Sequence, residues 1–412
     1  MNCFPHGEIN EFIEWRDTDG NIINASDGGV IYADGLYHWY GMAFRPLPMA
    51  SGPVGGQMTD IGVVMYCSSD LLSWKYEGVI LEVSTDPDSP LYAPMRFERP
   101  KIIYNEKTKK YVLWCHYVKY PGNHGNGEGE GDMGLAVCDS VNGKYRWQGY
   151  TRPIDAHGIV RDMTVYKDKD GVAYLIYDRH TLGSPELGTG VDRCLYVVKL
   201  SDDYLSFTDT YSRIEGARWR EAPVVVQRDG YYYIITSGLT GWQTNQAKAF
   251  RTKSLLEQWE DIGDPCVEDL THTTFNTQGS NAFKIEGADT HIIMLERHNT
   301  ENFLKSSYVW LPVIFNDDNT ISLWYSRSWR LSELQNGLLP NAFDGFSCRE
   351  DYEKYLQIKD ELEALLDEEL KDTPKGRGFC HQYWGLKRYL LWNKYGLVWS
   401  SPTKRNPHIK FD

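Results

Sequence analysis

Residues 221–238 read EAPVVVQRDGYYYIITSG. A polar residue is followed by apolar β-formers, a turn with Asp and Gly, and a second strand rich in aromatic residues, which is the pattern of a β-hairpin. Successive copies of this pattern begin 71, 64, 59 and 57 residues apart. Such regular spacing indicates one structural unit used five times. The polar residues that begin the copies are Asp27, Glu98, Asp162, Glu221 and, in a looser fifth copy, Gln278.

Each copy is followed by a second strand pair with a Ser/Asp turn, as in CLYVVKLSDDYLSF at 194–207. Two hairpins make a four-stranded sheet of about 60 residues, and five such sheets around one axis form a closed ring that protects its strand edges. We therefore predict an all-β fold, a five-bladed β-propeller over residues 1–332. An open β-sandwich or two all-β domains is the competing architecture, which the regular spacing disfavours.

The pattern changes after Leu331. Apolar residues at 349–371 recur mostly three, four or six positions apart, and residues 381–396 read as a second, aromatic helix. Through Asp372 the first segment holds ten acids and four bases, whereas residues 373–412 hold eight bases and one acid. We predict a helical C-terminal extension at 333–412. Its opposite charges favour a helical hairpin docked on the propeller, with a homo-oligomer contact as the alternative.

Composition restricts the partners. The 412 residues carry a formal net charge of −14, which repels phosphate backbones and anionic lipid, so neither nucleic acid nor membrane is expected as a partner. The first twenty residues do not resemble a signal peptide. Eight scattered cysteines without a Cys-x-x-Cys pair favour a reduced protein. We expect a cytoplasmic location, although a trimmed secreted or periplasmic protein would have the same sequence features.

The repeated polar residues suggest chemistry. In a propeller the innermost strand of each blade lines the central channel, so Asp27, Glu98, Asp162, Glu221 and Gln278 are expected at one mouth of it. Clustered carboxylates perturb one another's pKa, and a fold tolerates them mainly where a reaction uses them. The alternative is that they cap strands or pair with neighbouring arginines. Glycosidic bond cleavage needs one protonated and one ionised carboxyl group, which such a cluster can supply.

The 28 Tyr and 14 Trp residues offer apolar surfaces for sugar rings. Trp39 and Tyr177 lie near strand ends, and Trp242 lies in a polar, glycine-rich loop after the fourth hairpin. We take these three as candidate substrate-binding residues of an oligosaccharide site, although any single aromatic residue is more often part of a core.

Five ordered segments resemble glycoside hydrolase family 43, and they look closest to its exo-β-1,3-galactanase branch. They are INASDGGVIYADGLYHWYG, FERPKIIYN, RDMTVYKDKDGVAYLIY, REAPVVVQRDGYYYIITSGLTGW and TFNTQGSNAF. The resemblance covers about residues 14–332 and implies an axial active site and inversion at the anomeric carbon. It implies that Glu221 is the general acid, that Asp162 tunes and orients that acid, and that Glu98 binds substrate hydroxyls.

The general base is where the sequence departs from the family. Most members of the family carry the base Asp at the start of the first inner strand, in an Asp-Pro sequence. The galactanase branch resembles His-Gly-Gly-Gly at this position and relies on a Gln of the fifth blade instead. Here Asp27 stands in a Ser-Asp-Gly-Gly sequence and Gln278 is also present. We expect Asp27 to activate the water, with Gln278 as a substrate-binding residue or the alternative base. Arg161 and Arg220, each beside a carboxylate residue, are further substrate-binding candidates.

The resemblance implies an exo-acting, inverting glycoside hydrolase that releases terminal galactose from β-galactosides of the β-1,3-galactan type. An α-L-arabinofuranosidase or β-xylosidase, a glycoside phosphorylase and a non-catalytic carbohydrate-binding propeller stay open as alternatives. No cofactor and no catalytic metal is expected. The acidic, glycine-rich stretch 122–132 could hold a structural calcium ion, although a flexible loop over the pocket is the favoured interpretation.

Overall fold

The structure is a computed structural model. It describes residues 3–45, 61–92, 96–118, 131–153, 159–182, 191–337, 339, 343–346 and 349–405. Nearly all of the glycine-rich stretch 122–132 therefore lies outside the described residues. No helix in the described part of the chain is long and apolar enough to cross a membrane.

Five antiparallel sheets form the five predicted blades. Blade 1 contains β2 (Ser26–Ala33), β3 (Leu36–Ala43), β4 (Gly62–Ser68) and β5 (Lys75–Glu82). Blade 2 contains β6 (Arg96–Asn105), β7 (Lys110–Val118), β8 (Asp132–Cys138) and β9 (Arg146–Thr151). Blade 3 contains β10 (Ile159–Lys167), β11 (Ala173–Leu182), β12 (Val191–Leu200) and β13 (Phe207–Arg218). Blade 4 contains β14 (Arg220–Arg228), β15 (Tyr231–Gly238), β16 (Lys248–Thr252) and β17 (Glu260–Gly263).

Blade 5 differs from the repeat by one strand. Its main strands are β19 (Gln278–Lys284), β20 (His291–Arg297), β21 (Ser307–Phe315) and β22 (Ile321–Trp324). The short strand β18 (Cys266–Val267) pairs in parallel with β22 and adds a fifth strand at the outer edge. Near the N-terminus, β1 (Phe4–Pro5) pairs with β23 (Ser328–Trp329), so the two ends of the propeller sequence meet. The all-β, five-bladed prediction is confirmed.

Every inner strand carries a β-bulge near its start, and this decides which side chains reach the axis. In blades 1 to 4, the chain advances by three residues along the inner strand while it advances by two along the neighbouring strand, so the inner strand contains one extra residue. The pairs that flank these bulges are Ser26–Met42 and Gly29–Tyr40, Glu98–His116 and Lys101–Trp114, Val160–Arg179 and Met163–Tyr177, and Glu221–Ser237 and Val224–Ile235.

The expected equivalence of the five polar residues is therefore wrong in part. Glu98 and Glu221 occupy the same register position, but the blade 1 residue at that position is Ser26. Asp27 lies one residue further, inside the bulge, where its φ of 53° matches the 52° of Arg99. This left-handed backbone conformation is uncommon for a residue with a side chain, and it turns the side chain away from the direction that strand alternation predicts.

Many of the numerous Trp and Tyr side chains lie in the hydrophobic core. Trp39, Trp74, Trp310 and Tyr308 pack edge to face between blades 5 and 1, with Trp39 and Trp310 fully buried. Edge-to-face contacts of this kind stabilise the closed ring beyond the area that they bury. The seven described cysteines are free thiols.

The C-terminal segment folds into α1 (Leu331–Gln335), α2 (Arg349–Leu370), α3 (Phe379–Tyr395) and α4 (Pro402–Arg405). The opposite charges of α2 and α3 meet within one chain, since Lys394 Nζ lies 2.8 Å from Glu361 Oε1 and the buried Lys387 Nζ donates to the Tyr355 hydroxyl at 3.0 Å. Arg330 Nη2, at the end of the propeller segment, lies 3.1 Å from Glu350 Oε1. The helices therefore form a hairpin held to the propeller by ion pairs.

Candidate active site

A cavity of about 200 Å³ contains most of the predicted polar residues. It is lined by Glu98, His116, Arg161, Asp162, Arg193, Glu221, Leu239, Gly241, Trp242 and Gln278. A larger cavity of about 640 Å³ lies between the N-terminal segment and blade 1, but its described lining contains only two carboxylate residues, Glu14 and Asp70. The clustering of titratable groups therefore marks the smaller cavity as the candidate active site.

Glu221 is set up as an acid. It is the second residue of β14, at the start of the bulge. Its side chain is 11% exposed, and Arg193 Nη2 lies 3.0 Å from its Oε2. Burial and the negative charge of Asp162 together raise the pKa of Glu221 to about 8, although Arg193 opposes the shift. Glu221 is thus protonated at neutral pH, the state in which a carboxylic acid can give a proton to a leaving oxygen.

Asp162 is fixed beside this acid. Its Oδ2 accepts a hydrogen bond of 3.1 Å from the backbone N–H of Ala222, the residue after Glu221. The same oxygen lies 3.0 Å from Nε of Arg99, which is almost fully buried. These two contacts hold the carboxylate in one orientation next to the β14 bulge.

Arg99 also orients Gln278. The Nη2 group of Arg99 donates to Gln278 Oε1 at 2.9 Å, and Gln278 Nε2 donates to the Ser237 hydroxyl at 3.1 Å. Across the cavity, Nδ1 of His116 lies 2.9 Å from Glu98 Oε2. The position of the Gln278 side chain is therefore fixed by two other blades, and that of Glu98 by the second strand of its own blade.

Asp27 is not among the residues that line the cavity, and it is 1% exposed. Its carboxylate faces His298 Nε2 at 3.5 Å and Arg99 Nη2 at 3.9 Å, while its backbone N–H donates to Glu296 Oε1 at 2.6 Å. Burial raises the pKa of Asp27, but Arg99 and His298 outweigh it and hold that pKa well below its usual range. The residue is a buried anion of the axis, and its placement counts against the expected role in activating water.

Two of the predicted sugar platforms are wrong. Trp39 and Tyr177 are both 0% exposed, Trp39 in the core between blades and Tyr177 stacked on Tyr196 with 6.0 Å between ring centroids. Their strand alternation directs them into the core between sheets, so no ring face is open to a ligand. Trp242 does line the cavity, and its ring meets that of His298 edge to face at 4.8 Å.

The two arginines predicted to bind substrate differ in their position relative to the cavity. Arg161 lines the cavity. Arg220 does not, because its guanidinium donates to the Thr236 hydroxyl at 2.9 Å, to the Thr236 carbonyl at 2.7 Å and to the Gln246 carbonyl at 2.9 Å. Arg220 therefore ties β14 to the loop after β15 instead of facing a substrate.

Among the residues that the structure describes, two clusters have donor atoms close enough to hold a cation. One donor atom from each of Asp27, Glu296 and His298 lies within 4.8 Å of the others, and the same holds for Glu98, His116 and Asp162. Two carboxylates and one imidazole suit a transition metal better than calcium, which takes six to eight oxygen ligands. In the first cluster the carboxylate oxygens of Asp27 have no hydrogen-bond partner among the described residues.

The match to a family model decides the identity. The model of glycosyl hydrolases family 43 matches residues 26–320, which is most of the propeller. The chain belongs to glycosyl hydrolase family 43. It is a glycosidase, in agreement with the resemblance seen in the five ordered segments. A comparison with curated protein sequences found no significant match.

Solved family-43 structures share the fold. A β-1,3-galactosidase with galactodeoxynojirimycin is 30% identical with a TM-score of 0.67, over 77% of this chain and 99% of that chain. A second β-1,3-galactosidase is 29% identical with a TM-score of 0.68, over 81% of this chain and 64% of that chain. The exo-β-1,3-galactanase from Phanerochaete chrysosporium with β-1,3-galactotriose is 25% identical with a TM-score of 0.66, over 82% of this chain and 70% of that chain.

Sequence reasoning missed three polar residues of this family-43 site. Asp178, which is 0% exposed, accepts a 2.7 Å hydrogen bond from Nε of Arg193, and Arg193 in turn reaches Glu221. His116 pairs with Glu98. All three lie on second or third strands of their blades, whereas the repeat drew attention to the inner strands alone. A polar residue inside an otherwise apolar strand, such as His116 in KYVLWCHYV, was the available signal.

Proposed function

We propose that this glycosidase is exo-acting and inverting, and that it releases terminal galactose from oligosaccharides of the β-1,3-galactan type. The observation that carries the proposal is Glu221, a carboxyl group that lines a cavity and has a pKa of about 8 beside Asp162. The sugar is proposed from the β-1,3-galactosidases and exo-β-1,3-galactanases that share the fold. The partner is accordingly an oligosaccharide, and no cofactor is needed for proton transfer by carboxyl groups.

In this proposal Glu221 donates its proton to the glycosidic oxygen as the bond to the anomeric carbon breaks. Asp162 keeps Glu221 protonated by its negative charge and orients it, and Glu98 with His116 binds sugar hydroxyls. Inversion requires a water that attacks the anomeric carbon from the opposite face of the ring and loses a proton. Gln278, which lines the cavity, is proposed to position that water, in place of the buried Asp27. Because a neutral amide cannot keep a proton, the proton of the attacking water passes to solvent, and Glu221 regains its own proton from solvent before the next turnover.

The size of the cavity supports exo action. At about 200 Å³ it is smaller than the roughly 300–1,000 Å³ of sites that enclose drug-sized ligands. A cavity of this size suits a single terminal sugar unit, with the rest of the chain outside.

A phosphorylase is less well supported. Its phosphate would need free cationic groups beside the acid. Arg193 is engaged by Asp178 and Glu221, and the His116 ring is engaged by Glu98, so Arg161 is the further cationic side chain in the lining. The lining thus favours water over phosphate as the acceptor.

A screen of glycosides tests the proposal. Aryl β-galactoside, β-xyloside and α-L-arabinofuranoside would be compared with β-1,3-galactobiose and galactotriose, with and without phosphate, and with Glu221→Gln as the inactive control. We expect galactose release from the β-galactosides only, with the α-anomer seen first by proton NMR. Preferred cleavage of the pentosides would overturn the proposed sugar, and a requirement for phosphate would overturn hydrolysis. β-Galactose as the first product would overturn inversion.

A further inference from the structure

Trp219 is an exposed ring next to the catalytic acid. All tryptophans lie in the described part of the chain, and only Trp219 at 47% and Trp392 at 60% are exposed. Trp392 lies on α3, whereas Trp219 is the single residue between β13 and β14, two positions before Glu221. Two residues span at most about 7 Å, so the Trp219 backbone is close to the acid.

The backbone and the ring of Trp219 each have one neighbouring contact. The backbone N–H of Trp219 donates to the Arg193 carbonyl at 3.0 Å, and the guanidinium of Arg193 is the group that binds Glu221. The Arg218 guanidinium carbon lies 6.0 Å from the ring centroid, at the outer limit of a cation–π contact. Arg218 is itself drawn towards Asp192, with 3.7 Å between Nε and Oδ1.

The backbone of Trp219 is strained. Its φ of 59° lies in the left-handed region, where a bulky side chain is a conformational outlier. Such outliers persist where the surrounding structure enforces them and are concentrated at functional sites. Because nearly half of Trp219 is exposed, burial explains only part of why a bulky ring occupies this strained position.

We propose that Trp219 is the platform for the sugar that follows the scissile bond. Its ring offers an apolar surface to the C–H face of a pyranose, which is how flat aromatic groups bind sugars. This site lies outside the cavity lining and takes the leaving part of an oligosaccharide, so it sets the preference for chains over simple galactosides. The proposal rests on the proposed galactosidase function.

The test compares two substrates. β-Galactosyl fluoride has no second ring, whereas β-1,3-galactotriose places a sugar on the platform. Trp219→Asn is the informative variant, because Asn tolerates a positive φ and should fold; Trp219→Phe keeps a ring, and Trp392→Ala is the control for loss of an exposed tryptophan. We expect Trp219→Asn to raise KM for galactotriose about ten-fold, the effect of about 1.4 kcal/mol, and to leave hydrolysis of the fluoride unchanged.

The outcomes separate the two proposals. If the wild type cleaves both compounds and Trp219→Asn leaves the ratio of their KM values unchanged, the platform is overturned and the galactosidase function stands. An equal loss on both substrates would place Trp219 in support of the galactose site that both compounds use, and a fall in kcat for galactotriose with unchanged KM would place it in support of Glu221. Either result would overturn the platform. If the wild type cleaves neither compound, the galactosidase function is overturned, and the platform falls with it.

Discussion

Replacing Asp162 with Asn should shift the alkaline limb of the pH profile to lower pH. The acid must be protonated to work, so kcat/KM falls as pH rises through the pKa of Glu221, which is about 8. Burial and then the negative charge of Asp162 raise that pKa. A neutral amide at position 162 removes the second contribution, so the pKa falls and activity is lost at a lower pH.

The expected shift is about one pH unit. At an effective dielectric constant of about 20, two like charges about 4 Å apart interact by about 4 kcal/mol, and this energy falls as their separation grows. The Arg99 guanidinium, 3.0 Å from Asp162, cancels part of this field. Because one pKa unit corresponds to about 1.4 kcal/mol, a net contribution near that size shifts the limb from about pH 8 towards pH 7.

Arg193→Gln is the matched variant with the opposite sign. Arg193 lowers the pKa of Glu221, so its removal should move the alkaline limb upward. The assay is kcat/KM for an aryl β-galactoside between pH 5 and 10 at constant ionic strength, which reports the free enzyme. The reasoning is refuted if both variants shift the limb in the same direction, or if neither shifts it while both remain folded.

Three further predictions concern stability, water activation and metal. Trp39→Ala removes a fully buried indole and should lower the free energy of unfolding in urea by about 3–5 kcal/mol; a loss below about 1 kcal/mol would contradict its core position. Gln278→Ala should lower kcat by about 100-fold or more with little effect on stability. Asp27→Asn should mainly destabilise the protein, by about 3 kcal/mol, because it removes the buried negative charge that faces His298 and Arg99. If Asp27→Asn instead lowers kcat and Gln278→Ala mainly lowers stability, Asp27 is the residue that activates the water. Dialysis against EDTA should leave kcat unchanged, and a loss restored by a divalent cation would show that a metal is required.

The sequence was sufficient for the blade count because each hairpin is a local pattern. Alternating apolar residues around a Gly/Asp turn specify a hairpin wherever they occur, and five evenly spaced hairpins have few ways to close. Glu98 and Glu221 followed from the same pattern, since both precede a bulge at the same register position. The extra edge strand β18 was missed because two residues leave no periodicity to detect.

The rest of the site depended on features that a repeat does not contain. One residue of register separates Asp27 from Glu221, and a bulge with positive φ then redirects its side chain, so similar sequences diverge in space. The pairing of Arg193 with Glu221 joins blade 3 to blade 4 and is set by how neighbouring sheets pack. Trp39 has the composition of a platform, but the packing of blade 5 against blade 1 decides its burial.

The order in which the blades are made has a consequence for when the enzyme becomes active. Glu296 of blade 5 accepts hydrogen bonds from Ser26 and Asp27 of blade 1, at the seam where the ring closes. Gln278, also in blade 5, is held by Arg99 of blade 2, 179 residues earlier in the chain. Contacts so distant in sequence form late during folding. A nascent chain therefore has its acid before its last blade, and we expect refolding experiments to show β-sheet signal first and hydrolysis only after the ring has closed.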